Sequence, residues 1–354
     1  MKQTERSHEF YMQRCIDLAQ KGLGYTYPNP MVGSVVVHQG EIIGEGWHKK
    51  AGEPHAEVNA IASVKDKSLL ANSTIYVSLE PCNHFGKTPP CSQLIVKHNI
   101  PKVVVGCVDP FDQVSGAGLA TLRSAGIDVI SGILEKECIA LNKRFFCYHK
   151  KKRPYIILKW AQSQDGFLAP KKTDRAKQAP VFLSTKEEQI LVHQWRTEEQ
   201  SIAVGAQTVV DDNPQLTARW VKGKQPIRLV LDPNGRLDQQ YSVFDTTAKT
   251  HHLTLNTIQC ERAHYLSSVL NYLHQNDIQS VLVEGGRKTL DHFIQAELWD
   301  EARIFATDKK LGDGIVAPQL PQLQSLKKGL TTICLLYTSP SPRDLSTSRM
   351  PSSA

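Results

Sequence analysis

His55-Ala56-Glu57, then Pro81-Cys82 and, farther along, Cys91 are residues of the types that bind and use a transition metal. One neutral imidazole and two thiolates give zinc three ligands. They leave the fourth tetrahedral position to water, which is the arrangement of a catalytic rather than a structural site. Glu57, two residues past the histidine at a helix start, can reach that water without being a ligand and can carry a proton to a departing amine. The chemistry expected is hydrolysis at an amidine-like ring carbon. Buried free cysteines are also common in cores, and His84, between the two thiols, is an alternative further ligand.

A His-x-Glu followed by Pro-Cys and a second Cys is the pattern of zinc-dependent nucleobase deaminases. Most nucleoside and nucleic-acid deaminases place two residues between the cysteines, whereas here there are eight, NHFGKTPP. Pro81, Cys82, His84, Gly86, Thr88, Pro89, Pro90 and Cys91 match PCxHxGxTPPC, so the chain resembles the bifunctional deaminase-reductases of riboflavin biosynthesis. The resemblance implies that Asn29 in PNPMVG, His48 in GWH, and His84, Lys87 and Thr88 line the substrate, with Lys87 meeting a phosphate.

Val283 to Leu290, VEGGRKTL, follows a strand and opens a helix, so its amides could bind a dinucleotide phosphate. It is not GxGxxG, and a turn glycine pair is the alternative. ILKWAQSQDG (157–166), TVVDDNPQLTAR (208–219) and PIRLVLDPNGR (226–236) resemble, in order and spacing, the reductase half of the same family, whose fold is like dihydrofolate reductase. In all, the resemblance covers about residues 8–315. It implies Lys159, Leu216, Arg219 and Glu284 at the substrate. Arg196 in HQWRTEEQ would hold the substrate's phosphate bidentately, the alternative being a solvated helix charge. Ala161, Thr208, Asp212, Gly286, Arg287, Lys288, Thr289 and Leu290 are implied at the cofactor. Phe182 stands where the family often has Trp, so stacking on the cofactor is kept and an indole N–H lost. The implied reactions are zinc-dependent deamination of 2,5-diamino-6-(5-phosphoribosylamino)pyrimidin-4(3H)-one, then NADPH-dependent reduction of the ribosyl group of 5-amino-6-(5-phosphoribosylamino)uracil to ribityl.

These residues need elements to position them. Helical periodicity runs over about 9–21, PNP breaks it, and MVGSVVVHQGEIIGEGWH reads as a hairpin. A helix with HAEVNAIAS, a strand TIYVSLE, a helix over 92–98 and a strand KVVVGCVD follow. This alternation predicts an α/β/α sandwich, cytidine-deaminase-like by the resemblance, over 1–149. The basic stretch CYHKKKRPY marks a boundary, and strands and helices alternate again over 150–333, an α/β domain like dihydrofolate reductase. Residues 334–354, rich in Ser and Pro, read as a disordered tail. CLLYTSPSPRD and SRMPSSA resemble translated sequencing adapter, so the natural sequence is expected to stop near Ile333. The reductase domain would then be truncated, with an exposed sheet edge.

At 354 residues and 40% hydrophobic, the chain has room for two cores. No apolar run of membrane length occurs and the N-terminus is polar, so a soluble cytoplasmic protein is expected, taken to be a homo-oligomer. The eight cysteines are scattered, which favours metal binding or inert burial over disulfides. A net charge of +7 is spread along the chain, so it suits a phosphorylated small molecule better than nucleic acid. The competing readings are a nucleoside or tRNA deaminase with an appended domain, an active deaminase with a non-functional truncated reductase, and a noncatalytic zinc-stabilised module. Glu57 argues against the last.

Overall fold

The computed structural model describes residues 6–84, 89–111, 115–171 and 182–321, and the backbone of 326–328 and 333–337. The chain forms two compact units, 1–154 and 155–354.

In the first unit α1 (His8–Gln20) precedes the hairpin β1 (Gly33–His38) and β2 (Glu41–Trp47). Then come α2 (Ala56–Ser63), β3 (Thr74–Leu79), α3 (Cys91–Lys97), β4 (Lys102–Cys107), α4 (Ala117–Ser124), β5 (Asp128–Ser131), α5 (Glu135–Leu141) and α6 (Lys143–Lys151). The sheet order is β2-β1-β3-β4-β5, with β3, β4 and β5 parallel and β1 antiparallel to both its neighbours. Central strands buried on both faces read as unbroken apolar runs, which is why Val35, Val36 and Val37 and Val103, Val104 and Val105 do not alternate with polar residues. Val35 and Val37 pack with Met12, Ile16 and Phe146 on one face; Val36 packs with Ile61, Ile95 and Leu122 on the other. The basic stretch read as a boundary runs through the end of α6, where Phe145, Phe146, Cys147 and Tyr148 are buried, and the two units divide after Pro154.

The second unit runs β6 (Tyr155–Gln162), β7 (Phe167–Ala169), α7 (Lys186–Glu198), β8 (Ser201–Gly205), α8 (Ala206–Asp212), β9 (Ile227–Leu231) and β10 (Thr250–Leu253). It continues with α9 (Leu255–Ile258), α10 (Tyr265–Gln275), β11 (Ser280–Val283), α11 (Arg287–Gln295), β12 (Glu301–Ala306), β13 (Ile315–Val316), β14 (Leu326–Lys328) and β15 (Ile333–Tyr337). Its sheet has the order β10-β9-β8-β11-β6-β12-β15-β14, parallel from β10 to β12.

Two expectations change here. Cys334–Tyr337, assigned to a disordered tail, lie in β15, and the edge of β12 expected to be exposed pairs with it antiparallel from Glu301 to Phe305. ICLLY is apolar and β-prone, and β12 offers it an open row of backbone donors and acceptors. Among the described residues no helix is long and apolar enough to cross a membrane.

Candidate active sites

Close packing of α2 on β2 aims the first site. A Cβ at Gly46 would fall 2.3 Å from the Ala60 nitrogen, so only glycine lets helix and strand approach this closely. His55 is the N-cap of α2 and Glu57 lies in its first turn, almost wholly buried. Cys82 follows β3, and Cys91 is the first residue of α3. Cys82 Sγ and Cys91 Sγ lie 3.5 and 3.4 Å from His55 Nδ1, and the three ligand atoms are all within 4.8 Å of one another. Zinc bonds of about 2.3 Å to sulfur and 2.05 Å to nitrogen, at the tetrahedral angle, place S and N about 3.5 Å apart. The spacing and the donor set fit zinc. Among the described residues His84, exposed, is not in this cluster, so the three-ligand arrangement stands over the alternative with a fourth.

Hydrogen bonds from the Cys91 thiol and then His55 hold the Cys82 thiol well below the usual thiol range, and the Cys91 backbone N–H also donates to Cys82 sulfur at 3.3 Å. Burial, then the Cys82 charge, pushes the Glu57 carboxyl up to about 7. A carboxyl poised there can both accept and give a proton near neutral pH.

The expected substrate residues Asn29 and His48 are joined. His48 Nδ1 lies 3.2 Å from the Pro54 carbonyl, which can only accept, so Nδ1 carries the proton and Nε2 accepts from Asn29 Nδ2 at 3.0 Å. Burial lowers the His48 pKa, which favours this neutral form, and the ring meets His55 edge-on at 5.4 Å. Lys87 and Thr88 lie outside the described residues.

Sequence reasoning missed two anchors. The buried Glu80 carboxylate accepts four backbone N–H bonds, from Asp109, Gly116, Gly118 and Leu119. Asn142 exchanges two bonds of 2.8 Å with the Met31 main chain, fixing the PNPMVG segment. A signal for Glu80 existed in its place two residues before Cys82; for Asn142 there was none.

In the second unit α7 begins with a capping box between Thr185 and Glu188 and carries Arg196 in its last turn. Arg196 Nε and Nη2 donate to the two Glu284 carboxylate oxygens at 2.8 and 2.9 Å, and Nη1 donates to the Thr217 carbonyl at 3.0 Å. The expected bidentate grip on a phosphate is therefore corrected: the guanidinium fork is occupied by Glu284. Lys159, on β6, lies 3.8 Å from the same carboxylate. Burial opposes the Glu284 charge, but Arg196 and Lys159 outweigh it and hold the carboxyl at about 2. Burial also lowers the Lys159 pKa, with Glu284 opposing.

Gly286 caps α11, and a Cβ there would come within 2.9 Å of Thr208 Oγ1 on α8. Two helix N-termini thus meet over a residue with no side chain, a cradle of the kind a dinucleotide phosphate fits. Thr289 sits beside Gly205. Arg287 is bound to Asp291 at 2.5 Å and to the Val316 and Ala317 carbonyls. Leu290, expected at the cofactor, has its side chain in the core, as does Leu216, which stands in left-handed backbone at φ 56°. Only their main chains can face a ligand. Ala161 is half-buried on β6, Asp212 ends α8, Lys288 lies in the first turn of α11, and Phe182 is exposed.

Three converging zinc ligands beside a buried carboxyl, on an α/β sandwich, define a hydrolytic deaminase; the second unit adds a nucleotide-dependent reductase. Residues 5–107 match the cytidine and deoxycytidylate deaminase zinc-binding region, and residues 154–338 match the RibD C-terminal domain. Riboflavin biosynthesis protein RibD of Aquifex aeolicus is 40% identical over 86% of this chain and 88% of its own length. That of Escherichia coli is 35% identical over 90% and 92%. The crystal structure of a diaminohydroxyphosphoribosylaminopyrimidine deaminase/5-amino-6-(5-phosphoribosylamino)uracil reductase from Thermotoga maritima superposes with a TM-score of 0.81 at 37% identity, covering 93% of this chain and 97% of that one. Acinetobacter baumannii RibD gives 0.82 at 31% identity, covering 94% and 99%. The chain belongs to the RibD family of riboflavin biosynthesis. It is an enzyme with both deaminase and reductase activities, and its cofactors are zinc and NADPH.

Proposed function

We propose that the first unit deaminates 2,5-diamino-6-(5-phosphoribosylamino)pyrimidin-4(3H)-one at the His55, Cys82 and Cys91 site, and that the second reduces the ribosyl group of the resulting aminouracil. The observation that carries this is the buried Glu57 beside three ligand atoms within 4.8 Å of one another. Bound zinc supplies Lewis acidity toward water. Glu57 takes the proton released on one side and returns it to the departing amine, so water plus the amino-pyrimidine gives the oxo-pyrimidine and ammonia. Asn29 and His48, fixed in one tautomer, orient the ring, and Lys87, with Thr88 and His84, meets the rest of the substrate.

In the second unit, Thr208 and the Gly286–Thr289 turn, with Ala161, Asp212 and Phe182, would hold NADPH, which when bound would supply hydride. Lys159 and Glu284 meet the ribosyl chain, and Arg219 with the Leu216 main chain meets its anionic end. Arg196 fixes Glu284 for that task.

Zinc-loaded protein given the diaminopyrimidine phosphate is followed for ammonia release and NADPH absorbance in one sample, with Glu57→Gln beside it. Ammonia from the wild type alone, with NADPH consumed, is expected. No ammonia from the wild type overturns the reading.

A further inference from the structure

The segment Gln215–Arg219 has no regular secondary structure, yet side chains outside it hold its main chain at nearly every residue. Arg228 Nη1 donates to the Gln215 carbonyl at 3.3 Å and Arg196 Nη1 to that of Thr217 at 3.0 Å. The Gln225 amide exchanges two bonds with Ala218, accepting from its N–H at 2.8 Å and donating to its carbonyl at 3.0 Å. His193 Nδ1 accepts the N–H of Arg219 at 2.8 Å. Leu216, at φ 56°, occupies left-handed backbone that a residue with a Cβ disfavours, so the path is imposed by these clamps.

The path aims the Arg219 guanidinium. Its Nη1 donates to Gln215 Oε1 at 3.0 Å and to Thr217 Oγ1 at 3.1 Å, both within the segment. His193 is buried on α7 and its ring stacks on Trp220 at 4.5 Å and 19°. Because Nδ1 faces an N–H, it must present a lone pair, which puts the ring proton on Nε2. Burial, then the charges of Arg196 and Arg219, lower the His193 pKa to about 4 and so favour the neutral ring.

We propose that His193 is a positioning residue for the reduction: its Nδ1 lone pair fixes the main chain at Arg219, as Gln225 fixes Ala218, so that the guanidinium is presented to the substrate's anionic group. This rests on the reading of Arg219 as a substrate residue. It assigns a function to a histidine that acts through the main chain of Arg219.

The test uses the full zinc-loaded chain, steady-state reduction of the phosphoribosylaminouracil, and ammonia release as a control on the other unit. His193→Leu is expected to raise the KM for the aminouracil about tenfold, the size of one lost hydrogen bond, while the KM for NADPH and ammonia release stay put. His193→Asn, whose amide can place an acceptor where Nδ1 lies, recovers most of the loss, and Gln225→Met behaves like His193→Leu. Arg219→Ala costs at least as much, and adding His193→Leu to it changes nothing further. A wild-type KM in both His193→Leu and Gln225→Met overturns the inference alone, as do additive effects with Arg219→Ala. Should His193→Leu not fold, Gln225→Met and His193→Asn decide on the same scale. A wild-type KM in Arg219→Ala removes the substrate role of Arg219 and this inference with it.

Discussion

Glu57 and Glu284 are both buried carboxylates, and their neighbours send them in opposite directions. Burial and a thiolate push Glu57 up to about 7, while two cations hold Glu284 at about 2 against the same burial. The first can move a proton; the second is a fixed negative charge. Glu57→Gln should therefore cut ammonia release at least about 100-fold while bound zinc, read by metal analysis, is unchanged. Glu284→Gln leaves Arg196 and Lys159 buried without their counter-charge, and a loss of about 3 kcal/mol in the second unit's stability is expected in denaturant titrations. The sign of the pH effect follows. A carboxyl depressed in the folded state stabilises above its unfolded value, near 4.5, and that contribution disappears as pH falls toward 2. Acid unfolding of the wild type between those values, absent as a separate step in Glu284→Gln, checks it.

At the scale of elements, what the sequence could show was the residue set, and what it could not show was how that set is held. His55, Glu57, Cys82 and Cys91 carry a local spacing that names their chemistry. Glu80 finds its four N–H donors 29 to 39 residues later, in a segment with no motif of its own. Arg196 was legible as a functional arginine and misread as a phosphate ligand, because its partner lies 88 residues away. The basic run ending α6 showed where the two units divide but not that it is helical up to that point, because charge masked its apolar face. Removing the Glu80 carboxylate with Glu80→Ala frees those four donors and loosens the segment entering Cys82. Chelator competition should show zinc affinity reduced about tenfold. Gly286→Ala brings a methyl against Thr208 and should raise the KM for NADPH without lowering the melting temperature of the first unit.

Taken whole, the molecule has separate cores in its two units, so heat should unfold them in two steps. A chelator is expected to lower one calorimetric transition and NADPH to raise the other, since each ligand stabilises only the unit that binds it. A single transition moved by both would contradict that. The clamp from Asn142 to Met31 also bears on how the protein is made. It joins positions 111 residues apart, with most of the first unit between them. During synthesis the early helix and hairpin leave the ribosome first, but the turn holding Asn29 stays unpinned until Asn142 emerges, just before the second unit begins. Pinning of the substrate-side turn is thereby timed to the end of the first unit, after His55, Cys82 and Cys91 are already outside.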